Sequence, residues 1–215
     1  MGSNAEDDTP AGTHENGPGP DRHIGILLFE GVEELDAIGP WEVLSHWTQV
    51  FPQDGWSVSC LSRSGGPVTC AKGLVVHAHH GFDDAPPLDV LVHPGGEGTR
   101  PQLDDEAHLA WVRRMRDEVP LMTSVCTGSL VYAAAGLLRD RPATTYHAAL
   151  GLLAELDPSI DVRPDDRFVD DGDVVTSSGV SAGIDMALHL VDRLAGTARA
   201  QDVRRGIQYD PDPPV

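Results

Sequence analysis

Positive charge is scarce in this chain: 15 Lys and Arg stand against 34 Asp and Glu, a formal net charge of −19 over 215 residues. Phosphate backbones are bound by a Lys/Arg surplus, so this composition argues against a nucleic-acid partner. The basic cluster Arg113, Arg114 and Arg116 runs straight into Asp117 and Glu118 and reads as a solvated helix face. No apolar run approaches the roughly 18 residues of a membrane span. The N-terminus lacks a basic segment followed by an apolar one, so no secretory signal and no membrane partner are expected. Cysteine is scarce too: Cys60, Cys70 and Cys126 are too few and too unevenly placed for a disulfide framework. Reduced thiols in a cytoplasmic protein are the expectation.

Residues 1–21 are rich in Gly, Pro, Asp and Glu with almost no apolar content, and residues 210–215 are rich in Pro and Asp. Neither stretch can offset its ordering entropy by burial, so both read as tails flanking one domain at 22–209. Within the domain, apolar runs at 24–29, 89–93 and 121–126 predict buried strands. Alternating patterns at 56–63 and 68–80 predict two or three more. Helices are expected at 33–47, interrupted early by Gly39-Pro40, and at 104–118, 128–138, 182–194 and 198–208. Thr144 or Thr145 is positioned to cap another helix running to Leu156. A hairpin is expected over 167–177, turning at Asp171-Gly172. Strands alternating with helices imply an α/β fold with a mostly parallel sheet covered on both faces.

Three stretches carry candidate chemistry. The apolar run from Leu121 ends at Cys126, with Gly128 just inside the next helix. A nucleophile at such an elbow is pushed out at the carboxyl edge of the sheet, and the helix N-terminus behind it is expected to lower the thiol pKa. A small buried hydrophobe is the competing reading of that cysteine. Asp36 sits among apolar neighbours after the first strand, where enclosure and a nearby thiolate would raise its pKa. A helix-capping or solvated carboxylate is the alternative there. His93-Pro-Gly-Gly-Glu-Gly98 is a glycine-rich turn whose Gly95 and Gly96 backbone N–H groups could serve an anion. His77 and His79 share a strand face, but no further ligands stand at convincing spacing, so no metal is expected. Cys60, Cys70 and the four tryptophans read as packing residues.

In these stretches the sequence resembles the ThiJ/PfpI superfamily, relatives of the class I glutamine amidotransferases, and within it the isonitrile hydratases. The residues that carry the resemblance are Asp36-x-x-Gly39-Pro40, Pro94-Gly95-Gly96, Ser124-Val-Cys-Thr-Gly-Ser129, Ala134-Ala-Gly-Leu-Leu138, Ala143-Thr-Thr145 and Ser181-Ala-Gly-Ile-Asp185. They occur in order, and the resemblance covers about Ile24 to Tyr209. The resemblance implies a flavodoxin-like three-layer sandwich, a homodimer and no cofactor. It further implies catalysis by Cys126, Asp36 and Thr127 on a small-molecule substrate, with Gly95, Gly96 and Thr127 at the oxyanion position and Gly179 and Val180 lining the pocket. Proteases of the superfamily carry His after the cysteine. Thr127 stands there, and a hydroxyl is no base near neutral pH, so peptidase activity is not expected. Glu97, in place of a further glycine, and Tyr146-His147, in place of a His-Trp pair, depart from the hydratase pattern. Two rivals remain: a glyoxalase-like or hydrolytic enzyme, and a stand-alone sensor resembling the domain of AraC-type regulators. No helix-turn-helix module is expected after the last predicted helix.

Overall fold

A computed structural model describes residues 21–211. The two expected tails lie outside the described residues, apart from Asp21, Asp210 and Pro211. In chain order the elements are β1 (Arg22–Leu27), α1 (Glu34–Val50), β2 (Trp56–Leu61), β3 (Pro67–Thr69), β4 (Val75–His77), β5 (Val90–His93), α2 (Thr99–Gln102), α3 (Glu106–Glu118), β6 (Leu121–Val125) and α4 (Gly128–Ala134). They continue with β7 (Pro142–Ala143), α5 (Leu150–Leu156), β8 (Asp161–Val162), β9 (Phe168–Asp170), β10 (Val174–Ser177), α6 (Ala182–Ala195) and α7 (Thr197–Gly206).

The short apolar runs form the middle of a sheet ordered β2-β1-β5-β6-β10-β9. Neighbouring strands are parallel except for the β9–β10 hairpin, which turns through Gly172 at φ +83°. Successive side chains on a strand face opposite ways, so each strand feeds two cores. Ile24, Ile26, Val90 and Val92 join Val43, Leu44 and Trp47 of α1 and Met186, Leu190 and Val191 of α6. Leu27, Leu91 and Met122 join Leu109 and Val112 of α3 and Leu130 and Val131 of α4. The result is the three-layer, mostly parallel sandwich expected from the sequence. β1 leads to β2 on one side, whereas β5 pairs on its other side, so the strand order reverses at β1. Ligands of open α/β sheets bind beyond the carboxyl ends of strands at such a switch point.

Several local expectations are corrected. Gly39-Pro40 does not interrupt α1, which runs unbroken from Glu34 to Val50. Pro40 only removes the N–H that would bond the Asp36 carbonyl. Tertiary packing holds the helix across it: a Cβ on Gly39 would meet Ile184 at 3.0 Å, and one on Gly183 would meet Pro40 at 3.3 Å. Helix α4 stops at Ala134 rather than Leu138, because Gly136 adopts φ +84°, the left-handed conformation that ends helices. Thr144 and Thr145 cap nothing; both are buried, and the next helix begins at Leu150. The short α2, β7 and β8 have no periodic signal and were not anticipated.

The entry into α4 depends on one missing methyl group. A Cβ on Gly128 would lie 2.2 Å from His93 O and 2.8 Å from Pro94 O, so β5 and α4 approach through this glycine. Gly128→Ala is therefore expected to lower stability by about 1–3 kcal/mol. Gly151 in α5 has nothing within 4 Å of a built Cβ, and Gly151→Ala is expected to raise stability by about 0.5–1 kcal/mol. Urea unfolding midpoints of the two variants should move in opposite directions.

Candidate active site

The carboxyl ends of β1, β5, β6 and β10 deliver Asp36, Gly95-Gly96, Cys126 and Gly179-Val180 to one place. Cys126 follows β6 at φ +56°, a backbone conformation unusual outside glycine. Its N–H donates to Ser177 O and Ser178 O at 3.1 and 3.2 Å, fixing the elbow to the end of β10. Its carbonyl accepts from Thr145 Oγ1 at 2.9 Å and Ser129 Oγ at 3.1 Å. These hydroxyls hold the turn; the sequence offered Thr145 within Ala143-Thr-Thr145, but read it as a helix cap.

Asp36 lies in the first turn of α1 and is fully buried, which rules out the solvated reading. Gly95 N–H donates to its Oδ2 at 3.0 Å. Oδ1 is buried without a hydrogen-bond partner among the described residues. Burial drives the carboxyl pKa up to about 7, helped by Glu33 and opposed by the Gly95 N–H, the Cys126 thiol and the Val180 N–H. The thiol is therefore close enough to couple to this carboxyl.

Cys126 corrects one expectation. Its thiol pKa is pushed up to about 12, not lowered, first by burial and then by the negative charge of Asp36. The N–H groups of Thr127 and Val180 act in the opposite direction and are outweighed. Between about 7 and about 12 the pair holds one proton and one charge, a property of the pair rather than of either residue.

The glycine turn corrects another. Gly95 N–H is committed to Asp36, and Gly96 N–H donates to Thr127 Oγ1 at 2.9 Å. Neither is therefore free for a substrate anion, and the donors turned toward the sulfur are Thr127 N–H and Val180 N–H. Thr127 Oγ1 also meets Thr99 Oγ1 at 3.0 Å, so its hydroxyl ties the elbow to the Gly96 loop and α2. A Cβ on Gly95 would lie 2.5 Å from Thr127 N and 2.9 Å from Asp36 Oδ2, so only glycine lets this loop reach both. Val180, at φ +51°, is a strained β-branched residue. A Cβ on Gly179 would strike the Tyr146 ring at 2.4 Å, which puts Tyr146 at the edge of the site. His147 and Glu97 are exposed.

The histidine pair stays apart from this chemistry. His79 Nδ1 accepts from Cys60 N–H at 3.0 Å and its ring stacks on Trp41. Among the described residues no group of three or more His, Cys, Asp or Glu converges as a metal site. No helix among them is long and apolar enough to cross a membrane. Trp47, Trp56 and Trp111 are buried, as are Cys60 and Cys70.

Fold and site together define a flavodoxin-like α/β protein with a cysteine elbow facing a buried carboxyl. The chain belongs to the DJ-1/PfpI family, whose model matches residues 22–193. Isonitrile hydratase of Pseudomonas putida is 42% identical over 191 residues, covering 89% of this chain and 80% of that protein. The crystal structure of a ThiJ/PfpI family protein from Pseudomonas syringae aligns with a TM-score of 0.81 at 30% identity, covering 96% of this chain and 85% of that one. The HTH-type transcriptional regulator GbdR of Pseudomonas aeruginosa is 29% identical over 173 residues, covering 80% of this chain and 47% of the regulator.

Coupling makes the thiol titration a test of the geometry. Replacing Asp36 by Asn removes the charge that opposes thiolate formation, so Cys126 should ionise at a lower pH than in the wild type. Thiolate absorbance across a pH series reads this directly; an unchanged curve would mean that the two groups do not face each other. Stability carries the same signature. The folded carboxyl titrates at about 7 instead of 3.8, so it binds its proton more tightly folded than unfolded. Its contribution is full below 3.8 and is lost as pH rises through about 7, and Asp36→Asn should flatten that slope.

Proposed function

We propose that the protein is a cofactor-independent hydratase that converts an isonitrile to the N-substituted formamide. The observation that carries this reading is the buried Asp36 carboxyl, which titrates at about 7 beside the Cys126 thiol. A carboxyl poised there gives and regains a proton at neutral pH, which hydration of an isonitrile carbon requires. The likeness to the Pseudomonas putida isonitrile hydratase supports it.

In the proposed cycle the pair rests with its proton on sulfur and its charge on Asp36, and the cycle begins as the thiol passes that proton to Asp36. The thiolate adds to the terminal carbon while Asp36 protonates that carbon, giving a thioimidate and a carboxylate. The carboxylate takes a proton from water as the hydroxide adds to the carbon, and that proton passes to nitrogen. Asp36 then accepts the hydroxyl proton as the carbon–sulfur bond breaks. Formamide leaves, the proton returns from Asp36 to sulfur, and the pair recovers its resting state. Thr127 N–H and Val180 N–H stabilise the charge on sulfur at the start and end of the cycle. The Thr127 hydroxyl acts by holding the Gly96 loop. The proposal includes a cytoplasmic homodimer; Leu35, Leu74 and Val75 are exposed apolar side chains available to such an interface.

A second reading, ligand sensing without turnover, draws on the likeness to the regulator GbdR. Turnover separates the two. Wild type should hydrate a simple alkyl isonitrile. Asp36→Asn should lose at least about 10²–10⁴-fold in kcat while remaining folded by circular dichroism. Cys126→Ser should be inactive, because an unassisted hydroxyl has almost no anion at neutral pH. Thr127→Val should be milder. A folded Asp36→Asn with wild-type turnover would overturn the mechanism. Wild type that ignored isonitriles but consumed a 2-oxoaldehyde would move the assignment to the glyoxalase-like rival.

A further inference from the structure

A cavity of about 230 Å³ lies at the carboxyl ends of β1 and β2, against α2 and the start of α3, and shares no lining residue with the Cys126 site. Half of its lining residues are apolar, with Leu27, Phe29, Val68 and Phe82 prominent. Glu30 and Arg63 line it with opposite charges, and both are engaged: Glu30 accepts from Thr69 N–H, and Arg63 pairs with Asp105. Both side chains are exposed, so solvent screens their charges and no charged group is buried in the cavity wall.

Two polar atoms in its wall have no hydrogen-bond partner among the described residues. Gln102 is only 9% exposed, its Oε1 is buried without a hydrogen bond, and its amide makes no side-chain hydrogen bond among the described residues. The last torsion of glutamine is broad and two-fold, so either end of that amide can turn to a ligand. His108, 4% exposed, carries the other. Its state follows from its neighbour. His93 Nδ1 faces Pro94 O at 2.8 Å, and a carbonyl only accepts, so the His93 proton is on Nδ1. Burial holds His93 down to about 3 and His108 down to about 4, so both rings are neutral. His93 Nε2 is thus bare and accepts from His108 Nε2–H at 3.2 Å. That leaves His108 Nδ1 as an acceptor with no donor among the described residues.

We infer that this cavity is a second ligand site, selective for a small uncharged carboxamide. One N–H of the ligand satisfies His108 Nδ1. Its carbonyl and remaining polarity pair with the Gln102 amide, which both donates and accepts, and its apolar substituent packs among Leu27, Phe29 and Phe82. A carboxylate would set a second acceptor against His108, and an ammonium would find no buried carboxylate in the wall to offset its desolvation. Both charged analogues are excluded on these grounds.

The test uses the full chain carrying Cys126→Ser, so that chemistry at the elbow plays no part. Isobutyramide, isobutyrate and isobutylamine are titrated to millimolar concentrations and followed by NMR. Isobutyramide should shift the side-chain amide of Gln102 and the ring of His108, with the two charged analogues leaving both unmoved. Gln102→Leu should weaken the amide roughly tenfold or more. Shifts confined to Asp36, Val180 and their neighbours, equal binding of the charged analogues, or unweakened binding to a folded Gln102→Leu variant would each overturn the inference. Because the shifts are read without that variant, a Gln102→Leu chain that failed to fold would leave the first comparison decisive.

Discussion

Two ionisable groups buried side by side cannot both carry negative charge cheaply. At about 4 Å and an effective dielectric constant near 20, like charges repel by about 4 kcal/mol. Asp36 and Cys126 are under this constraint, and the groups around them are arranged to satisfy it. Gly95 N–H takes Oδ2, and Oδ1 has no hydrogen-bond partner among the described residues. The N–H groups of Thr127 and Val180 face the sulfur and reduce the cost of the remaining charge. Burial sets both positions: it lifts the carboxyl from the range of an exposed acid to about 7 and the thiol to about 12. Together they keep one mobile proton.

Holding that pair costs backbone strain. Cys126 and Val180 both occupy the left-handed region, at roughly 1–3 kcal/mol each. Bonds that over-determine the turn offset it: the Cys126 N–H to β10, and the Cys126 carbonyl to Thr145 and Ser129. Around this centre glycine is used where two backbones must touch. Gly128 admits β5 to α4, and Gly95 admits the loop to Thr127 and Asp36. The elbow, the loop and α2 form one connected unit through the Thr127 and Thr99 hydroxyls.

The sandwich was legible because its strands are short, uninterrupted apolar runs, and because one core face of α6 repeats with helical period. Cys126 and Asp36 were legible as chemical residues placed where strands end. What the sequence could not carry was the destination of each hydrogen bond. Gly95 and Gly96 certainly present N–H groups, but nothing in Pro94-Gly95-Gly96 says that Asp36 and Thr127 consume them. Thr145 was misread for the same reason, since a threonine before a helix and a threonine bonded to a distant carbonyl look identical in one dimension. The thiol pKa failed by sign because the helix N-terminus is visible in sequence, whereas the depth of burial that outweighs it is not. Pro40 was overruled by its packing against α6. The cavity beside Gln102 depends on α2, a helix too short to show a period.

The close approach at Gly95 also sets where this protein can change over evolutionary time. A side chain there would collide with Thr127 and Asp36 at once, so drift at that position is closed, and Gly128 is closed likewise by the carbonyls of β5. Tyr146 is only half-buried, and His147 and Glu97 are exposed. Diversification is thereby channelled to the mouth: lineages descending from this chain would acquire new specificities by substituting Tyr146 and its neighbours, over an interior that tolerates almost no revision.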